Sequence, residues 1–190
     1  FFMIHGNVLP SGKVVKAIKK LKNGEFVSVN DNAGIAFRFT KNEIKQPHKI
    51  IVTRAVAVKD DIKSIGFPQH IFELNQYAIR SDFELLTKKR KSQAISKANK
   101  TINPAQIFIE KGAKVEHSIL NASTGPIYVG KDAEVMEGCM IRGPFALCEG
   151  ACLKMGAKAY GATTIGPYSV AGGEIKNSVI FGYSNKAHDG

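Results

Sequence analysis

A chain of 190 residues with 44% hydrophobic content can hold one large domain or two small ones and can bury a core. No apolar run approaches the ~20 residues that span a bilayer, and the opening 1-FFMI-4 is too short for the core of a signal peptide. Three cysteines, Cys139, Cys148 and Cys152, form neither a C-x-x-C pair nor a zinc spacing, so a membrane protein, a disulfide framework and a structural zinc site are set aside and a cytoplasmic protein is expected.

The net charge of +11 lies entirely in residues 1–100, with 19 Lys and Arg against 8 Asp and Glu; residues 101–190 hold 8 of each. Glycine divides the other way, 5 against 13. The composition changes near Thr101 to Pro104, where the β-helical part of the chain is expected to begin.

The first half reads as α/β. An apolar strand, 1-FFMIHGNVLP-10, leads to Ser11, a plausible N-cap for a helix with Val14, Val15, Ile18 and Leu21 on one face. The β-rich runs 25-EFVSVN-30 and 35-IAFRFT-40, separated by 31-DNAG-34, predict a hairpin. A strand over 49-KIIVTRAVAV-58 and a mostly helical segment over 71-IFELNQYAIRSDFELLTKK-89 follow. The basic stretch 87-TKKRKSQAISKANK-100 lacks interleaved aromatics, and predicts a solvated helix end and linker; no nucleic-acid partner is expected. The fragment 12-GK-13 is no phosphate-binding P-loop, because the upstream glycine and the following Ser or Thr are missing.

The second half is a repeat. From Val129 the chain is written in sixes, VGKDAE, VMEGCM, IRGPFA, LCEGAC, LKMGAK, AYGATT, IGPYSV and AGGEIK. The first position is always apolar (Val129, Val135, Ile141, Leu147, Leu153, Ala159, Ile165, Ala171), and the fifth is small in six of eight units. Each unit predicts one short parallel strand plus a corner, with three units closing a coil and successive coils stacked ~4.8 Å apart. Phe145 and Ile175 are oversized for the fifth position and predict local bulging or a shifted frame. The earlier units 109-IEKGAK and 115-VEHSIL precede Val129 by 20 residues, two too many, so a loop is expected to leave the coil at 121-NASTGP-126.

This pattern resembles the hexapeptide-repeat left-handed parallel β-helix, and the handedness is taken from that resemblance. An α/β domain, a helical connector and hexapeptide coils together resemble bifunctional sugar-1-phosphate nucleotidyltransferases, above all N-acetylglucosamine-1-phosphate uridyltransferase/glucosamine-1-phosphate N-acetyltransferase. The runs IFELNQYAIRSDFELLTKKRKS, GPIYVGKDAEVMEGCMIRGPFAL, KMGAKAYGATTIGP and VIFGYSNKAHDG look especially like the variant sugar nucleotidyltransferases of Bacteroidetes-like bacteria. The match covers most of residues 70–190 and is weaker over 1–69. The implied organisation is the C-terminal part of a Rossmann-like nucleotidyltransferase domain over 1–69, a helical connector over 70–103 and a left-handed β-helix over 104–190.

The resemblance implies site residues. In the family's acetyltransferase segment a lysine is followed at a short interval by a histidine, a spacing that 174-EIKNSVIFGYSNKAHDG-190 matches. Lys176 then falls on the sugar-phosphate-binding lysine and His188 on the general base that takes a proton from the attacking amine. Cys148 stands where the family has a phosphate-binding arginine, with Arg142, one hexad earlier, as a candidate substitute. In 6-GNVLP-10, Asn7 occupies the place of a metal-binding aspartate, and Asn75 in 73-ELNQ-76 corresponds to a second metal-contacting asparagine.

The cofactors implied are Mg²⁺ and acetyl-CoA; the partners are a sugar 1-phosphate, a nucleoside triphosphate, an acyl-CoA and two further copies in a homotrimer. A start in mid-strand and an end in mid-coil lead us to expect a fragment, lacking the nucleotide loop on one side and further coils on the other. The alternative reading is a non-catalytic trimeric scaffold or sugar-nucleotide-binding regulator. A hexapeptide-coil carbonic anhydrase ranks last, because the coil holds only His117 and His188 as histidine ligands.

Overall fold

The computed structural model describes residues 1–29, 34–46 and 51–189. The chain separates into two compact units, Phe1–His70 and Ile71–Gly190.

In the first unit, the expected N-terminal strand is broken. Phe2–Ile4 forms β1 and Val8–Leu9 forms β2, with Gly6 and Asn7 in the turn between them. Ser11 caps α1 (Gly12–Lys20), its hydroxyl accepting from the amides of Lys13 and Val14 at 3.2 and 3.3 Å. The helix buries Val14 and Ile18, followed by Leu21, against Val27, Val29 and Ala36. Each such side chain contributes about 1.5–3 kcal/mol by leaving water.

The sheet under that helix is mixed. β3 (Glu25–Val29) and β4 (Gly34–Arg38) pair antiparallel as the hairpin reading expects, although most of its turn, residues 30–33, lies outside the described residues. β1 adds antiparallel to β4, and β5 (Arg54–Val58) adds parallel to β3. The predicted start of β5 falls partly on residues 47–50, also outside the described ones. β6 (Lys63–Ser64) pairs with β2. One helix escaped the sequence reading: α2 (Lys41–Lys45), announced by the capping box 40-TKNE-43 in which Thr40 and Glu43 exchange hydrogen bonds.

The second unit is a β-solenoid of five coils preceded by helix. The segment read as mostly helical holds α3 (His70–Glu73), which starts at the boundary, and α4 (Asn75–Thr87). Face 1 of the solenoid carries strands Lys100–Ile102, Ile119–Asn121, Met140–Arg142, Lys158–Tyr160 and Glu174–Lys176. Face 2 runs from Ile107–Ile109 to Val179–Ile180, and face 3 from Lys114–Val115 to Asn185–Lys186. Neighbouring strands on every face are parallel, and the eight first-position residues of the hexads are at most 2% exposed.

The coil length varies as the hexad frame predicts, with one correction. Val129, Leu147 and Ile165 stack at steps of 18 residues, so the frame passes through the buried Phe145 without a register change. Ile175, read as a corner residue, is instead the inward residue of a face 1 strand and pairs with Ala159 after 16 residues. Ile180 follows Ile165 by 15, so the fifth coil is tighter. The longer step from Ile109 to Val129 is spent at 121–126, where Ser123 and Thr124 are exposed.

The fifth-position column is buried throughout, including Thr163 and Ser169 at 0% exposure. Ser169 repays its burial by donating to the Phe181 carbonyl at 2.8 Å.

Residues 92–99, expected as a solvated linker, are a strap on the first coil. Strand carbonyls of that coil have no coil beneath them, and the strap supplies their donors. The Gln93 amide donates to the Ile109 carbonyl at 2.7 Å, the Gln93 side chain to Ala113 at 2.9 Å and the Asn99 side chain to Val115 at 2.7 Å. Ile95 adds an apolar contact to the solenoid core.

Candidate functional site

Face 2 is closed by α4 of the same unit. Asn75 uses both ends of its amide on the solenoid, donating to the Ala162 carbonyl at 2.9 Å and accepting from the Thr164 hydroxyl at 2.8 Å. Arg80 donates to the Thr124 carbonyl at 2.6 Å. Beyond the helix, Arg90 holds Glu110 with two bonds of 2.8 and 2.6 Å while stacking over Phe108, and Tyr128 donates to the same carboxylate at 2.8 Å. Burial and the bond to Glu110 push the Tyr128 phenol up to about 12. Burial opposes ionisation of Glu110, but the bonds from Arg90 and Tyr128 outweigh it and hold that carboxyl below its usual range.

Cys148, which the sequence reading set at an arginine position, lies under this helix. It shares a small recess with Asp82, Phe83 and Ala146, and burial followed by the nearby Asp82 charge pushes its thiol up. Burial likewise raises the Asp82 carboxyl. Among the described residues no cationic side chain lines the recess, so it is unsuited to a phosphate.

Face 1 is different. Arg142 is exposed at the end of its strand and lines an open groove of about 360 Å³ with Asn121, Met140, Lys158 and Tyr160. Lys176 ends the top strand of this face, directly above Tyr160 in the ladder, with its ammonium 5.6 Å from that ring's centre. The Tyr160 hydroxyl donates to Glu174, and that bond, ahead of burial, raises the phenol. Arg142 and Lys176 thus stand two strand spacings apart on one face, roughly 9–10 Å.

His188 lies on the corner that leads from face 3 back toward face 1, exposed, with Nδ1 3.2 Å from the Asp189 carbonyl. A proton on Nδ1 donates to that carbonyl and leaves Nε2 as the basic nitrogen. The corner is fixed by Lys186, whose ammonium donates to the carbonyls of Gly172 at 2.9 Å and His188 at 2.8 Å, and by the Glu174 amide, which donates to Asp189 at 2.7 Å. Neither Lys186 nor Asp189 was singled out by the sequence; Lys186 ends the last face 3 strand and Asp189 follows on the corner.

Asn7 is exposed in its turn, with its carbonyl accepting from the Ile65 amide at 2.7 Å. Among the described residues no cluster of three or more His, Cys, Asp or Glu could hold a metal ion, and Asn75 is committed to the solenoid. His117 takes a corner position with φ of 51°, the place that Gly138 holds in the next coil.

No helix among the described residues is long and apolar enough to cross a membrane. No curated protein matches the chain. A family model described as sugar nucleotidyl transferase matches residues 1–91. That match takes in the whole α/β unit and continues through α4 to the arginine that grips Glu110. The first half of the chain is therefore sugar nucleotidyltransferase-like, and it is followed by a five-coil β-solenoid.

Proposed function

We propose that the protein is a sugar-1-phosphate nucleotidyltransferase whose solenoid carries an acyltransferase-type site, acting in the synthesis of a UDP-N-acetylglucosamine-like sugar nucleotide. One observation carries this reading: a sugar nucleotidyl transferase match over residues 1–91 is joined in one chain to a solenoid with a histidine corner and a cationic face.

In the acyl-transfer half, Lys176 and Arg142 neutralise the phosphate of an amino-sugar 1-phosphate, and His188 accepts a proton from its amine. Acetyl-CoA, when bound, supplies the thioester carbon that this amine attacks. In the nucleotidyl half, the substrates are a nucleoside triphosphate and a sugar 1-phosphate. Mg²⁺ is a requirement of that half with no ligand assigned among the described residues. The proposed assembly is a homotrimer, supported by exposed apolar residues on face 1, Ile119 and Met140, where α4 does not cover the solenoid.

The test uses the full-length protein. Pyrophosphate release from UTP with N-acetylglucosamine 1-phosphate, and thioester consumption with glucosamine 1-phosphate, are the expected outcomes. A second reading, a non-catalytic scaffold, is favoured by Asn7 in the place of an aspartate and by the helix-covered Cys148 in the place of an arginine. Absence of both activities selects it.

A further inference from the structure

The corner on which His188 lies turns in every coil, and its side chains differ from coil to coil. In the third coil it projects Lys154 and Met155; in the fifth, His188 and Asp189; in the fourth, between them, it is Gly172–Gly173 and projects nothing. Close approach explains the glycines. A Cβ on Gly172 would sit 2.5 Å from the Ala187 carbonyl oxygen, and Gly173 has a φ of +74° with Asp189 packed on it. The consequence is a recess of about 410 Å³, lined by Met136, Lys154, Met155, His188 and Asp189, the last with its carboxylate already accepting from the Glu174 amide. Its roof is held by the Lys186 bonds to Gly172 and His188 described above.

An acetyl group would leave most of this space to water. The walls suit something longer: two thioethers adapt to an alkyl chain, and Met155 is 70% exposed. Lys154 forms no ion pair among the described residues. The geometry points to this recess as the pocket for the acyl group of the thioester that His188 serves, with Lys154 selecting an acyl chain that ends in a carboxylate. This inference rests on the acyl-transfer reading and deepens it.

The reaction is an aminolysis. The amine nitrogen forms a bond to the thioester carbonyl carbon, the carbon–sulfur bond breaks, and the proton accepted by His188 passes to the leaving thiolate. The products are an amide and a free thiol, and nothing is oxidised or reduced. The carboxylate end of the acyl group takes no part and serves only as the handle for Lys154.

The test measures thiol release by the full-length protein with glucosamine 1-phosphate and three donors: acetyl-, butyryl- and succinyl-CoA. We expect succinyl-CoA to exceed both others in kcat/KM by at least tenfold, Lys154→Gln to erase that preference and Lys154→Arg to restore it. Preference for acetyl-CoA, equal use of butyryl- and succinyl-CoA, or an unchanged ratio in Lys154→Gln overturns the inference while leaving acyl transfer intact. Consumption of none of the three thioesters overturns the acyl-transfer reading itself, and the recess assignment with it.

Discussion

His188 and Lys176 would act on different parts of one substrate, so their variants separate by kinetics. Replacing His188 with Asn removes the proton acceptor and is expected to lower kcat for thioester aminolysis by about 10²–10⁴-fold, with KM for the sugar phosphate little changed. Lys176→Ala removes phosphate neutralisation and is expected to raise that KM, with Lys176→Arg keeping much of the affinity. Asp82 makes a separate, thermodynamic prediction. Burial raises its carboxyl above the unfolded value, so the folded state holds the proton more tightly. The stability this contributes is complete below the unfolded pKa and is lost as pH rises through the folded one. At pH 7 the charged Asp82 on α4 therefore opposes folding. Asp82→Asn is expected to raise Tm at pH 7 and to leave it unchanged near pH 3, a comparison that calorimetry at the two values makes directly.

At the scale of single elements, the strap has the clearest energetic role. Asn99, 7% exposed, donates to the Val115 carbonyl and accepts from the Ser118 amide at 2.9 Å. Asn99→Ala strands both groups and should cost about 1–3 kcal/mol in urea unfolding. The contrast with the hexads shows what was legible in the sequence. Eight hexads repeat one local rule, apolar then small, and the burial follows because each coil repeats its neighbour's environment. The strap has no repeat, and its partners are backbone groups 16 to 20 residues away that no sequence pattern marks. Ile175 marks the limit of the periodic reading, since a shorter coil changes which residue turns inward without changing its chemistry. The break between β1 and β2 was hidden for another reason: 1-FFMIHGNVLP-10 is apolar on both sides of Gly6 and Asn7, so hydrophobicity alone joined two strands. His188 and Lys176 were reached through a family likeness in their spacing, whereas the recess beside His188 depends on which residues stack in neighbouring coils.

For the whole molecule, the question is where the nucleotidyltransferase-like half ends. The family match runs to residue 91, but the chain packs as Phe1–His70 and Ile71–Gly190. Between those limits, α4 and the residues just after it belong to the solenoid by their bonds: Asn75 to Ala162 and Thr164, Arg80 to Thr124, and, beyond the helix, Arg90 to Glu110. A sequence family can extend across a packing boundary because a connector is inherited with one domain while it is stabilised by the other. Solenoids also need a capped end, as an open first coil exposes both its core and its strand carbonyls. Here α4 covers face 2 and the strap closes the first coil, so both must accompany the repeats for the unit to fold. A piece comprising residues 71–190 is accordingly expected to unfold in urea as one cooperative transition, with β-rich circular dichroism. A piece beginning at residue 104 loses α4, the strap and the first face 1 strand together, and is expected to show a shallower transition and a lower midpoint. Equal midpoints and slopes for the two pieces would mean that the connector is packed on the solenoid without supporting it, and would return α4 to the nucleotidyltransferase-like half as the family match draws it.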